Sequence, residues 1–291
     1  MSAVAIAADA PGRSSWFTLL KRTGPAGIAS AIVIVVATFV AVAGRAISPF
    51  DPLAPGLSNA WIGPMQVTGH LLGFDGQGRD LLSRLLVGAT TSMLGPLAVV
   101  VICMTVGSVF AVSAAWRGGG YDAVVSSGMD ILFAFPGILL AILAATVFGA
   151  GLISASLALA IAYTPYVARV LRGAAMRERA QQYVAALEVQ GASPLSICMR
   201  HLLPNMAPLI VAQATILFGY AMVDLAAISF LGLGVQAPNP DWGVMVSENQ
   251  SGVLQGYPLP ALAAGLSIVI VVVAFNVLGE RLYEQAQADR R

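Results

Sequence analysis

Residues 172–205 read RGAAMRERAQQYVAALEVQGASPLSICMRHLLPN. Only 10% of the 291 residues are charged, yet Arg172, Arg177, Glu178, Arg179, Glu188 and Arg200 all fall in this window. The window separates two long apolar blocks, so it reads as a polar excursion out of a membrane. Residues 183–187 have helical character, and Gly191 interrupts them. Ser193 is a good N-cap, and Pro194 stands at the first helical position, where a missing N–H costs nothing. Leu195, Cys198, Met199 and Leu202 follow at i, i+3, i+4 and i+7, which gives a second helix one apolar stripe. Pro204 is expected to stop or kink that helix. Two short helices around a break, on the surface of a membrane protein, suit docking in another protein's groove.

Working outward, the composition agrees with a membrane location. The chain is 58% hydrophobic with a mean hydropathy of +0.82, where soluble domains are about half apolar and about a quarter charged. A net charge of +1 without any basic run offers nothing to nucleic acid. The single lysine, Lys21, is followed by Arg22, Thr23 and Gly24, so no GxxxxGK[ST] phosphate loop exists. If ATP drives this protein, another chain hydrolyses it. No nucleophile–base constellation stands out, and His70 and His201 fall on opposite sides of the expected membrane. Cys103 and Cys198 are likewise separated, so no disulfide is expected.

In chain order, Arg13, Lys21 and Arg22 precede an uncharged run at 23–44, long enough to span a hydrocarbon core of about 30 Å. Ala41-Val42-Ala43 resembles a signal-peptide cleavage site, but an h-region is shorter than this run. An uncleaved first helix is the preferred reading. Residues 45–84 form a long polar connection punctuated by Pro49, Pro52, Pro55, Gly56 and Pro64, a length uncommon without function or structure of its own. Within it Gly73, Gly76 and Gly78 make a tight turn. Asp80 is placed to cap the next helix, with Arg84 four residues on as its ion-pair partner. His70, Asp75 and Asp80 lack a recognisable metal-ligand spacing, and the capped helix start is the preferred reading. A second helix covers 85–116 and ends at Arg117 and three glycines; Asp122 and Asp130 then mark a polar connection. The uncharged run 131–168 fits two helices joined at Gly149-Ala150-Gly151, and Pro136 predicts a broken or kinked start to the first. A fifth span runs from about 208 to 232, a turn-rich loop follows at 234–242, and a sixth span covers 259–279 before a polar tail. Six spans put both ends on one side. Twelve of the 15 Lys and Arg lie on the side of the termini and of 172–205, against Arg45, Arg79 and Arg84 opposite. The positive-inside rule makes the richer side cytoplasmic.

Asp224 is the one carboxylate within an expected span, and ionisable groups there default to a functional hypothesis. The plainer reading is a hydrated group near the outer end of the fifth helix, bonded to a neighbour such as Tyr220. With no His or Lys partner, it gives thin support to a proton relay. Asn276 in the sixth span reads as interhelical glue. Tyr163, Pro165 and Tyr166 read as an interfacial anchor more than a pathway wall, and Trp61 and Trp242 as anchors or docking contacts.

Several separated runs together resemble a known family. Ile47-Ser48-Pro49-Phe50-Asp51-Pro52 and His70-Leu71-Leu72-Gly73 come first. Gly78-Arg79-Asp80-Leu81-Leu82-Ser83-Arg84 with Gly88-Ala89, and then Phe133-Ala134-Phe135-Pro136, follow. Gly191-Ala192-Ser193 with Arg200-His201-Leu202-Leu203-Pro204-Asn205 matches a cytoplasmic coupling loop. Ser229-Phe230-Leu231-Gly232-Leu233-Gly234-Val235-Gln236 with Trp242-Gly243 is the most diagnostic, and Ala274-Phe275-Asn276-Val277-Leu278-Gly279 closes the set. From about residue 20 to 282 the chain is similar to the C-type permease subunit of the oligopeptide/dipeptide ABC importers.

The resemblance implies an all-α polytopic membrane protein of six transmembrane helices with the type I ABC importer permease fold. Its layout would be a cytoplasmic segment (1–22), a first helix (23–47), an extracytoplasmic loop (48–84), a five-helix core (85–282) and a cytoplasmic tail (283–291). A second related permease would complete the pathway, in the plasma or inner membrane. Two cytoplasmic ATPases would bind ATP and Mg and grip the coupling loops, and an external binding protein would deliver the peptide, so this chain itself needs no cofactor. A nickel complex or another small solute is the alternative cargo. Coupling falls to Tyr183, Ala185, Ala186, Glu188, Gly191, Ala192, Ser193, Arg200, Pro204 and Asn205; Asp224 and Asn276 are the intramembrane polar residues. Two departures stand out. The family's Glu-Ala-Ala, six residues before the glycine, is here Ala185-Ala186-Leu187, with Glu188 the nearest acid. An acid often found four residues before Ser229 is Leu225 here, and Asp224 sits about 100° round the helix from it.

Overall fold

A computed structural model describes residues 24–288. The expected segment 1–22 and the last residues of the tail lie outside them. Ten α-helices and one 3₁₀ turn make up the described chain, with no strand among the described residues. Helix α1 covers Gly24–Ile47, within the expected first helix. Helix α2, Leu81–Arg117, starts at Asp80, whose carboxylate accepts the Ser83 N–H at 2.8 Å as the expected cap.

The region 119–148 differs from its expected form. Asp122 and Asp130 lie on helix α3, Gly119–Phe133, and not in a connection. Their charges are tolerated because Arg172 and Arg169 of the next long helix grip them, the second pair at 2.5 Å. Helix α4, Gly137–Phe148, follows at 79° to α3 across the break at 134–136. Pro136 supplies the extended N-cap conformation there, as a broken start requires. Helices α3 and α4 together, bent at that break, are long and apolar enough for a third crossing, and α5 (Leu152–Arg179) for a fourth.

The two short helices after α5 are α6 (Gln182–Val189) and α7 (Pro194–Ile197). Pro204 neither stops nor breaks the helix that contains it. A π-helical turn at Cys198–Leu202 leads directly into α8, Leu203–Phe230, so helix continues from Pro194 to Phe230. In a regular α-helix the proline ring would strike the carbonyl four residues back. Here that carbonyl is Arg200's, inside the wider turn. Residues 242–254, expected to open on a loop, form a helix, α9 (Trp242–Leu254). Helix α10 covers Leu259–Ala288, so the helix runs on through the first part of the tail.

Helices α2, α5 and α8 form the centre. Leu159, Leu171, Met206, Leu217, Met222 and Ile228 are essentially inaccessible in the core clusters that join them. Helix α1 packs on α2 and α10, and α4 leans on α5. Residues 48–80 and α9 together cover one end of the bundle, the cap end. Residues 180–205 project from the other, the arm end.

Candidate functional site

At the arm end the sequence-derived residues come together as one structure. The Tyr183 hydroxyl donates to Glu178 Oε1 at 2.9 Å. The Asn205 amide donates to the same oxygen at 3.0 Å and to the Tyr183 hydroxyl at 3.1 Å. This triad ties α6 to the end of α5 and the start of α8. Burial, reinforced by the Glu178 carboxylate, pushes the Tyr183 phenol upward from its ordinary value. Arg179 reaches back to the Ala115 carbonyl at 2.8 Å and lies 4.8 Å over the Trp116 ring, anchoring the arm on α2.

Beyond the anchor the arm is open. Ala185, Ala186, Glu188, Gly191, Ser193, Arg200 and Pro204 are exposed, and Ala192 is half-buried. Gly191 makes the break with φ +77, a left-handed conformation natural to glycine after a helix. Ser193 accepts the Ser196 N–H at 3.3 Å as the expected cap of α7. The apolar stripe read from the sequence divides between two surfaces. Cys198 and Leu202 turn into the core, while Leu195 and Met199 face out, the former 73% exposed, beside the 90% exposed Val189. Leu195 and Met199 also line an apolar groove of about 700 Å³ with Phe110, Trp116 and Tyr121. The outward surface of the arm is therefore apolar with scattered charge, around the open break at Gly191.

Toward the cap end of the bundle, Asp224 bonds to Tyr163 of α5, whose hydroxyl donates to Oδ2 at 2.5 Å, and not to Tyr220. The Tyr166 hydroxyl similarly donates to Gln213 of α8 at 3.3 Å. These tyrosines are thus interhelical partners and not interfacial anchors. Asn276 presses its amide against Gly219 of α8, where an added Cβ would stand 2.7 Å from its Oδ1; that buried oxygen accepts no hydrogen bond.

At the cap end the expected Asp80–Arg84 pair does not form. Asp80 instead bonds His70 Nδ1 at 2.7 Å. Arg84 donates to Glu248 of α9 at 2.7 Å and lies 3.4 Å from Asp75. Arg79 donates to Asp75 Oδ2 at 2.7 Å and to both Glu248 oxygens at 2.8 and 3.3 Å. Two arginines and two acids form a neutral, almost fully buried quartet. Burial alone would lower the Arg79 value, but the hydrogen bonds it donates to Glu248 and Asp75 and their charges outweigh it, and the net shift is upward. Among the described residues no group of three or more His, Cys, Asp or Glu is arranged to hold a metal. Trp61 and Trp242 both make their contacts within the chain. Trp61 stacks on Tyr257 at 5.6 Å against Gly252 and Gly76, and the buried Trp242 donates to the Leu85 carbonyl at 3.0 Å. Glu248 had no signal in the sequence, since its partners lie more than 160 residues away.

A helical bundle with five or six candidate membrane crossings, a broken arm at one end and a packed cap at the other defines a class, the polytopic α-helical membrane protein. Residues 104–290 match the family of binding-protein-dependent transport system inner membrane components, and the chain belongs to that family. The glutathione transport system permease protein GsiD of Escherichia coli O6:K15:H31 is 34% identical over 276 residues, covering 93% of this chain and 89% of the relative. The dipeptide transport system permease protein DppC of Alkalihalophilus pseudofirmus is 34% identical over 274 residues, covering 92% and 88%. Among solved structures, an inward-facing MetNI methionine ABC transporter chain is similar, with a TM-score of 0.57 and 21% identity over 70% of this chain and 96% of that one. At that identity the likeness speaks for the fold alone. The chain is a permease subunit of an ABC importer, a multi-pass membrane protein that works with ATPase and binding-protein subunits.

Proposed function

We propose that this chain forms half of the translocation pathway of an ATP-driven importer of oligopeptides or dipeptides, paired with a second, related permease. The observation that carries the reading is the 34% identity, over nine-tenths of the chain, to permeases named for dipeptide and for glutathione, itself a peptide. Those names favour peptide over nickel as the cargo. ATP and Mg belong to two separate ATPases. With the arm and both termini cytoplasmic, as the charge distribution favours, each ATPase would grip one arm.

The geometry supports that role. The triad of Tyr183, Glu178 and Asn205 fixes the arm to α5 and α8, so a push on α6 and α7 is delivered to the two helices that carry Asp224 and Tyr163. Because Ala185 stands where the family's acid usually stands, the contact rests on the exposed Val189, Leu195 and Met199 around the Gly191 notch, with Glu188 and Arg200 as its charges.

The test is uptake of a labelled mixed-length peptide pool into vesicles carrying this chain with its candidate partner subunits. ATP-dependent accumulation that also requires the binding protein is the expected result. Accumulation on a proton gradient without ATP would overturn the reading.

A further inference from the structure

Gln213, Tyr220 and Asp224 lie within about 40° of one another around α8, because steps of seven and four residues are close to whole turns. Facing them on α5, Tyr166 and Tyr163 stand one turn apart, and the two rows are bonded rung to rung, Tyr163 to Asp224 and Tyr166 to Gln213. A hydrogen bond from the Gly151 N–H to the Leu233 carbonyl, 3.2 Å, levels the cap ends of the two helices. Asp224 is then about 9 Å in from the end of α8 and Tyr163 about 16 Å in from the end of α5. The rungs form a polar seam well inside the bundle.

The seam is open on one side. Tyr220 is 54% exposed and its neighbour Val223 47%, while Asp224 and Gln213 are only half-buried. No cation among the described residues lies within ion-pair distance of Asp224. Tyr163 supplies a hydrogen bond but no positive charge. A carboxylate at this depth is expensive against hydrocarbon, so such groups face water or a partner. The open side of the seam therefore does not face lipid, and it leaves one negative charge directed at whatever passes. Every unmodified peptide carries one obligatory cation, its α-ammonium group.

We propose that Asp224, held by Tyr163, is an anionic station on the wall of the aqueous pathway that receives the α-ammonium group of a peptide in transit. The assignment rests on the peptide-importer reading above. Tyr163 is a positioning residue in it, and Tyr220 flanks the approach.

The experiment uses the complete importer in proteoliposomes, with tri-alanine as the cargo. Asp224→Asn keeps the shape and the Tyr163 contact but removes the charge, and uptake is expected to fall about tenfold while the importer still assembles. Asp224→Glu should retain at least half of the uptake, and Tyr163→Phe, which loses the tether but keeps the charge, should lower uptake only about threefold. Asp224→Cys adds a readout that packing alone does not move. Reaction with a sulfonate-bearing methanethiosulfonate should restore uptake, and the trimethylammonium reagent should not, with the unsubstituted importer treated in parallel as control. Undiminished uptake by Asp224→Asn would overturn the proposal. So would equal losses in Asp224→Asn and Tyr163→Phe, or an Asp224→Cys importer that responds to neither reagent. Failure of the unsubstituted importer to take up tri-alanine with ATP would overturn the cargo reading, and this assignment with it.

Discussion

Glu248 shows how much a single side chain contributes at the cap end. Its carboxylate accepts from both Arg79 and Arg84, and Arg84 is fully buried. Removing one member of a buried ion network leaves the others uncompensated, at a cost of about 3–5 kcal/mol. Glu248→Gln leaves two guanidinium groups facing Asp75 alone. It is expected to lower the unfolding temperature of the purified complex clearly, whereas Glu284→Gln, in an exposed pair with Arg281, is expected to leave it unchanged. Arg84 marks the limit of local reading. Four-residue spacing from Asp80 suggested a pair, but Asp80 is already occupied by the Ser83 amide and His70. The longer Arg84 side chain finds the acid that α9 brings over it.

Two elements carry separable predictions. In the arm, an added Cβ at Gly191 meets nothing within 4 Å, so the constraint there is the left-handed backbone and the open notch, not the packing. Gly191→Trp is expected to abolish uptake while membrane insertion stays normal, and Gly191→Asn, which tolerates that conformation, should keep most of the activity. Full uptake by the tryptophan variant would remove the coupling role from this segment. Ser193→Ala deletes the cap of α7, at about 1 kcal/mol, and should appear as faster amide exchange confined to 193–198. At the cap end, residues 48–80 are held by Trp61 and by the close pass of Gly78 over the Gly56 carbonyl, where a Cβ would stand at 1.9 Å. Trp61→Ala removes a large packed ring, a class of change that costs about 3–5 kcal/mol in a core. Protease cleavage within 48–80 should become several-fold faster, with α2–α8 left intact.

At the scale of the whole molecule, the buried surface is unevenly distributed. The centre of α2, α5 and α8 is closed, but α1 shows lipid or a partner Val35, Val36, Phe39 and Val42. The groove between α4 and α5 is lined by apolar side chains including Val147, Phe148, Ile153 and Leu157. Tyr220 is exposed and Asp224 only half-buried as well, and so much uncovered surface suits one half of a larger pathway better than a finished one. Expressed without its partner permease, the chain is expected to be degraded several-fold faster in a pulse–chase measurement than when the two are made together. Equal half-lives would argue that the fold is complete alone.

The sequence by itself determined the class, most of the apolar runs and the arm, because each is written in local chemistry. An apolar run long enough for the bilayer is helical here, and a Ser-Pro pair after a glycine starts a helix. It also placed the break at Pro136 and the cap at Asp80. What only the tertiary structure decided depends on residues far apart in the chain. The carboxylates Asp122 and Asp130 of α3 are paired by Arg172 and Arg169, which only the packing of α5 brings to them, and helix continues past Pro204 because a π turn widens the backbone beneath the ring. Trp61 and Trp242 pack inward because glycines and a carbonyl from other elements open sites for them. Asp224 became interpretable for the same reason: a lone carboxylate in a sequence has no direction, and the position of Tyr163 on a neighbouring helix gave it one.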